Sequence, residues 1–439
     1  MGSVKDLITR SGKLRNFNIP KGLYIPPLKN KWGQGAWDVS GRFSVLDLKE
    51  QIPETEIRNK AEILAMQTAH YFEALLNDYH GITQCYRGML NHDGNVTTCQ
   101  NLLDKGELSN IIVMSLSHSP ETYWKKIRKQ KFDPKSPEQL IEYRRALRSG
   151  RLKNGIADVE SIFRKGFPLG SSTFKKIFEA VGMKEDYLQL ATYDEVVNGL
   201  DEVRKRVENQ GIQAFPGLEG VLAEAQLDKI PNPGYILKGI ATDSTTKFEK
   251  AGDRAISRQE AQHLSGMDPE NYAIWAESWV PLIAAHQIAY SEDRGILNID
   301  GKLECVVYYG RPCVTDFANT IDENRTMILY QAESGLWAIP SNKEIQRAIF
   351  RAAGVPQAIE RSRALAKEKG GTWQGYFEKA CQEFNIDVSA VTEESVRLME
   401  YAAAEIGNRT FQKNIFDAPP LSSWAPEFLP YASKIEYQE

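Results

Sequence analysis

The segment 300–317 reads DGKLECVVYYGRPCVTDF, with Lys302 and Glu304 two residues apart among β-branched and aromatic neighbours. A strand turns alternate side chains to opposite faces, so this spacing puts an ammonium and a carboxylate on one face. Asp316 falls on the following strand-like run, within reach of the same face. Two carboxylates converging beside a lysine suit magnesium carrying a nucleotide's phosphates, because that ion is hard, prefers oxygen and is held by few protein carboxylates. Solvated charges along a strand are the commoner arrangement, and spacing alone leaves both readings open.

A second candidate is the loop in FRKGFPLGSSTFKK, residues 163–176. Gly170, Ser171 and Ser172 precede a helical pattern, and Arg164, Lys175 and Lys176 flank them. Exposed backbone N–H groups at a helix start could cradle an anion there. The plainer alternative is a helix cap, with Ser171 or Ser172 as the N-cap. The loop matches neither GxxxxGK[ST] nor GxGxxG. Gly12-Lys13, in SGKLRN, is a third and weaker candidate for a phosphate contact.

Other chemistries find less support. There is no HExxH and no GxSxG, and the six histidines show no ligand spacing. Five widely spaced cysteines without a CxxC pair disfavour a disulfide framework or a zinc site and fit a reducing cytoplasm. The basic run around Trp124 and Phe132 could track a nucleic-acid backbone. Against that, 58 acidic and 54 basic side chains leave a net charge of −4, so no nucleic-acid partner is expected and 120–153 reads as an exposed basic insertion. No basic-plus-apolar leader or membrane-length apolar run is visible, so no membrane partner is expected. The sequence leaves a homo-oligomer open.

These residues need elements to position them. Short strands are expected in roughly the first 50 residues, then a helix over 59–76. Strands are expected at 234–249 and 295–317, the latter a hairpin turning at Asp300-Gly301 with a further turn at Gly310-Arg311. Helices are expected at 256–267 and 273–293, the second broken or started at Pro281. The last stretch reads as helical, including a helix with Thr392 as N-cap and Gly407 as stop, and the proline-rich tail from Asp417 as extended chain.

Taken in order, several segments resemble the SAICAR synthetase family, whose members join a carboxyaminoimidazole ribotide to L-aspartate at the expense of ATP. SGKLRN is similar to the family's N-terminal glycine-lysine element, SGRFSVLD (40–47) to its SDRxSxxD segment, and VESIFRKGFPLGSS (159–172) to its LEVxxR followed by a glycine-serine loop. STTKFEKAGDRAISRQEA (244–261) is similar to its TK-containing segment. DGKLE resembles its DxKxE strand, and VTDFANTIDENR (314–325) its IDE followed by PDxxR.

The resemblance implies an α+β, two-lobed fold: an antiparallel-sheet N-terminal lobe over 1–115, a larger mixed lobe over 116–335, a helical C-terminal region over 336–439, and ATP in the cleft. It implies ATP and Mg2+ as cofactors. Gly12, Lys13, Lys302, Glu304 and Asp316 would lie around the nucleotide, with Glu304 and Asp316 on the metal. Ser40, Arg42, Ser44, Arg164, Gly170, Ser171 and Ser172 would bind the ribotide's phosphate and carboxylate, and Lys247, Asp253 and Arg325 would surround the amine or the reacting centre. The chain departs from the family pattern at Gly41 (an aspartate in SDR), at Phe317 (the second acid of IDE), at EIRNKAE, where Lys60 stands for the lysine of a glycine-lysine-glycine, and at Thr83-Gln84. It is also more than about a hundred residues longer than a compact member. These departures bear on the substrate pair more than on the fold. They keep open a diverged amide ligase with another carboxylate or amine, and a non-catalytic nucleotide- or nucleic-acid-binding protein.

Overall fold

The computed structural model describes residues 34–39, 57–115, 117–133, 136–249, 254–341 and 343–438. Gly12, Lys13, Ser40, Arg42, Ser44 and Asp253 lie outside the described residues. The architecture is two-lobed α+β, with an antiparallel N-terminal sheet, a larger sheet with helices packed on it, and C-terminal helices.

The N-terminal sheet comprises β1 (Gln34–Asp38), β2 (Tyr86–Leu90), β3 (Val96–Thr97) and β4 (Ile111–Ser115), in the order β1-β4-β2-β3 and all antiparallel. Strands β2 and β4 are buried at every position, as expected of strands covered on both faces. The helix Lys60–Asp78, expected over 59–76, packs alongside and buries Leu64, Ala65, Phe72 and Leu75.

The larger sheet is built on β5 (Asn154–Phe167), β6 (Tyr235–Thr246), β7 (Ala255–Ile256), β8 (Ile296–Tyr308), β9 (Arg311–Thr315), β10 (Asn324–Ala332), β11 (Gly335–Pro340), β12 (Ser433–Lys434) and β13 (Glu436–Tyr437). Its order is β12-β11-β10-β8-β5-β6-β13, with β7 on β6 and β9 on β8. Only Ile435 separates β12, which pairs with β11, from β13, which pairs with β6. Residues 433–437 therefore reach both edges of the sheet and cover two positions of each, which shortens the open edge a sheet otherwise presents. The two sheets meet at β9, where the Val314 N–H donates to Thr83 O at 2.8 Å and the Cys85 N–H donates to Val314 O at 2.8 Å.

Several local expectations are corrected. Asp300-Gly301 makes no turn: β8 runs straight through it, paired with β5 and β10. Ladder bonds on both sides outweigh the dipeptide's turn preference, and Gly301 is fitted to the close approach of Phe163, whose ring would lie 2.7 Å from an added Cβ. The turn at Gly310 does form, with Tyr309 and Gly310 both at positive φ, the signature of a tight hairpin connection. Residues 120–153 are not simply an exposed insertion. They hold the helix Pro137–Arg148, buried at Leu140, Tyr143, Ala146 and Leu147, and a π-helical turn at Tyr123–Arg128 with Trp124 buried. The long helix near the C-terminus begins at Val388, capped by Asp387, and both Thr392 and Gly407 lie inside it. The proline-rich tail forms the helix Leu421–Phe428, which buries Trp424 and Phe428.

Candidate functional site

Cross-strand register gathers the charged side chains. Glu160 of β5 pairs with Glu304 of β8, Ile162 with Lys302, and Arg164 with Asp300. On β6, Thr245 pairs with Glu160 and Asp243 with Ile162. Residues directly opposite in a ladder share a face, so Glu160, Arg164, Asp243, Asp300, Lys302 and Glu304 all project from one side. The other side carries Ser161, whose hydroxyl accepts from the Trp275 indole at 3.0 Å, and Phe163, packed on Ala284 and Ile288 of the helix Val280–Glu292.

One row of this face is a lysine-carboxylate cluster. The Lys302 ammonium lies 3.1 Å from Glu304, 3.2 Å from Glu160, 2.9 Å from Glu323 and 4.0 Å from Asp316. Lys247 lies 2.9 Å from Glu160 and also pairs with Glu304. Glu160 and Glu304 are buried, whereas Lys302 and Asp316 are each about a quarter exposed at the side chain. Glu304, Asp316 and Glu323 bring one carboxylate oxygen each to within 4.8 Å of one another. Burial, and then the neighbouring Asp316 charge, push the Glu304 carboxyl above its ordinary range. For Lys247 burial works against the charged form, but Glu304, Glu160 and Asp316 outweigh it and raise the ammonium's pKa.

The loop after β9 holds two of these carboxylates in place. Asp316 has φ 70° and Asn319 φ 59°, the left-handed region that aspartate and asparagine enter more readily than other non-glycine residues. Asn319 Oδ1 accepts from Asn298 Nδ2 at 3.0 Å and from the Ser291 hydroxyl at 3.3 Å, and Asn324 donates to Gln287 at 2.8 Å. A buried amide network of this kind fixes the segment between Asp316 and Glu323. Lys60, at the start of the first long helix, is buried and reaches Asp322 at 3.0 Å, tying the N-terminal lobe to the same loop.

The adjacent row is an arginine cluster. Arg325, the partner of Asp300 across β10 and β8, donates to Asp300 at 2.6 Å and to Glu344 at 3.1 Å, and Arg347 donates to Glu344 at 2.6 Å. Burial works against the Glu344 charge, yet Arg325, Arg347 and Arg351 hold its pKa down at about 2. Arg164 lies 3.6 Å from Asp243 and donates to the Thr173 hydroxyl at 3.4 Å. The glycine-serine loop abuts this cluster: a Cβ on Gly170 would collide with the Glu344 carboxylate. Ser171 is buried and caps the helix Ser172–Ala180, its hydroxyl accepting from Thr173 N at 3.3 Å.

The fold thus brings Lys247, Lys302, Glu304 and Asp316 together, and sets Arg164, Gly170, Ser171, Ser172 and Arg325 around a separate cluster. Sequence reasoning missed Glu160, Glu323, Asp300 and Glu344. Glu323 had a visible signal, since Ile321-Asp322-Glu323 spells the acidic tripeptide that Phe317 interrupts six positions earlier. Nothing local announces Glu344, which arrives from the C-terminal region.

These features define the class of protein: an α+β chain in which one face of the larger sheet carries a carboxylate-rich row beside an arginine row. Among solved structures, the chain is similar to SAICAR synthetases. The enzyme from Saccharomyces cerevisiae complexed with SAICAR aligns at 13% identity and a TM-score of 0.44, over 91% of this chain and 98% of that one. A SAICAR synthetase in complex with ADP aligns at 12% identity and a TM-score of 0.39, over 74% and 89%. The Pyrococcus horikoshii OT3 enzyme aligns at 12% identity and a TM-score of 0.37, over 73% and 93%. No family model matches the chain, and no curated protein matches it. Among the described residues, no helix is long and apolar enough to cross a membrane.

Proposed function

We propose that this chain is an ATP- and magnesium-dependent ligase that activates a carboxylate and joins it to an amine. The observation that carries the reading is the charge of the first row. Glu160, Glu304, Asp316 and Glu323 face two ammonium groups, leaving an excess of two negative charges. An all-oxygen donor set with that excess fits a divalent hard cation. Glu304, Asp316 and Glu323 would hold it. Bound ATP and magnesium would supply the γ-phosphoryl group that converts a carboxylate oxygen into a leaving group.

The chain's own residues then have charge-positioning work. Lys302 and Lys247 offset negative charge beside the carboxylates, and fixed charges in a partly buried site stabilise a transferring phosphoryl group without reorganising. Burial of Glu160 and Glu304 limits water, which an acyl phosphate requires if it is to meet an amine first. The ordered motif set supports the ribotide carboxylate and L-aspartate as the pair, with Lys13 beside the nucleotide and Asp253 beside the amine. A second reading, another carboxylate or amine, is favoured by the Glu344 carboxylate seated against the glycine-serine loop.

The test incubates the protein with ATP, magnesium, L-aspartate and the carboxylated ribotide, following ADP and the amide together. ADP release that requires both substrates supports the named pair. Magnesium-dependent nucleotide binding without turnover transfers support to the second reading. Absence of magnesium-dependent nucleotide binding overturns the ligase.

A further inference from the structure

Two thiols meet where the lobes meet. Cys85 immediately precedes β2 and Cys313 lies on β9, and their sulfurs are 3.3 Å apart although 228 positions of chain separate them. The contact sits inside the seam between the sheets. The Cys85 N–H donates to Val314 O at 2.8 Å, and the Cys85 carbonyl accepts from the Ser115 N–H at 2.8 Å. Both cysteines are buried. Arg87, two positions on from Cys85, is buried as well. Its Nη1 donates to the carbonyls of Gln84 at 2.8 Å and Tyr86 at 2.6 Å, while its Nη2 has no hydrogen-bond partner among the described residues. A guanidinium with an unengaged donor near a thiol favours the thiolate. The Cys313 S–H, and after it the Arg87 charge, hold Cys85 below the ordinary thiol range, whereas burial raises Cys313.

We propose that Cys85 and Cys313 are a redox pair whose reversible disulfide, formed with a peroxide as oxidant, locks the N-terminal lobe to β9. The sulfurs have to close from 3.3 Å to about 2.05 Å, a movement that rotation of two side chains can share. In the first step the Cys85 thiolate attacks one oxygen of hydrogen peroxide. The O–O bond breaks, the departing hydroxide takes up a proton and leaves as water, and Cys85 becomes a sulfenic acid. The Cys313 sulfur then attacks the Cys85 sulfur. The S–O bond breaks, and the leaving hydroxyl takes the Cys313 proton as a second water. Two thiols are oxidised, one peroxide is reduced, and a small-molecule dithiol restores both thiols by exchange. Cys99 and Cys305, whose S–H groups point to the carbonyls of Met66 and Val306, stay outside the pair. Neither Cys85 nor Cys313 belongs to the carboxylate or arginine row, so the lock does not depend on the ligase reading.

The experiment treats the folded full-length protein with hydrogen peroxide, alkylates the remaining thiols and maps the peptides by mass spectrometry. One cross-link, Cys85 to Cys313, is expected, with Cys99, Cys305 and Cys381 alkylated and dithiothreitol reversing the bond. Hydrogen exchange then reads the lock. The amides of Cys85 and Val314, which carry the seam's hydrogen bonds, should exchange at least about tenfold more slowly in the oxidised protein, because a bond closing so long a loop opposes separation of the lobes. In Cys313→Ala, Cys85 has no thiol to condense with, and its labelling by a sulfenic-acid reagent should rise several-fold over the unaltered protein. If that variant does not fold, peptide mapping and exchange on the unaltered protein decide the matter alone. Oxidation that stops at single cysteines, a cross-link through another pair, or a Cys85–Cys313 bond that leaves the seam amides exchanging at their reduced rate overturns the proposal.

Discussion

The two charged rows of the larger sheet share strands β5 and β8 and differ in how their charge is closed. In the lysine-carboxylate row the acids outnumber the bases, and Lys302 and Asp316 stay partly open to solvent. In the arginine row Arg325 is held between Asp300 and Glu344, and Glu344 is drawn further by Arg347. Planar guanidinium groups suit such closed pairing, because several fixed donors can be satisfied at once by neighbouring carboxylates. An ammonium is a single point charge, and two of them leave four carboxylates undercompensated. The first row is therefore suited to receive a cation, and the second to hold its shape.

The largest effect is expected where the rows differ most. Glu304→Ala should lower magnesium-dependent turnover on the order of a thousandfold while the fold persists, since it removes a central carboxylate of the open row. Steady-state ADP release together with a circular-dichroism melt checks this. Turnover within a few-fold of the unaltered protein would remove Glu304 from the cation's partners.

In the closed row the consequence should be stability instead. Glu344→Ala leaves Arg325 and Arg347 without a shared partner and should cost about 3 kcal/mol or more in urea denaturation, the usual scale for breaking a buried ion pair. The pH dependence has a definite sign. The folded pKa of Glu344, about 2, lies below the unfolded value, so its stabilising contribution is complete above the unfolded range and lost as pH falls towards 2. Glu344→Gln should flatten that acid limb of the stability profile. An unchanged acid limb would mean that other carboxylates govern it.

Gly170 tests the same row by shape. Gly170→Ala should destabilise by about 1 to 3 kcal/mol, the range for forcing extra volume into a packed site. In the double variant with Glu344→Ala, much of that increment should disappear because the colliding carboxylate has gone. Additive losses in the double-mutant cycle would show that the collision is relieved elsewhere.

Legibility in the sequence followed the range of the interactions. Lys302, Glu304 and Asp316 could be read together because period-two alternation and a short turn are local rules. Ser171 as a cap was equally local. Glu160 was not readable as a site residue, since its place depends on β5 pairing with β8 at a register that spans well over a hundred positions of chain. Asp300-Gly301 misled for the opposite reason: a strong local turn preference lost to ladder bonds on both sides. Glu344 depended on a C-terminal helix docking beside a loop far upstream, and burial against Gly170 leaves no periodic trace. The helices of 120–153 were obscured by dense basic charge, although Leu140, Tyr143 and Leu147 fall at the spacing of one helical face.

Glu323 offers the finest discrimination between the rows, because it is the third carboxylate of the trio and comes from the loop after β9. It lies 2.9 Å from Lys302 and within the same carboxylate trio as Glu304 and Asp316, but its side chain is more exposed than that of Glu304. A ligand on the open side of a cation site shares its task with solvent, so Glu323→Gln should act on affinity more than on the chemical step. The expectation is a roughly tenfold rise in the magnesium concentration needed for half-maximal turnover, with the saturated rate falling by no more than a few-fold. Magnesium titrations of ADP release separate the two quantities. A fall in the saturated rate as large as that of Glu304→Ala would place Glu323 at the reacting phosphoryl group. No change in magnesium demand would return it to the structural pairing with Lys302 and confine the cation to Glu304 and Asp316.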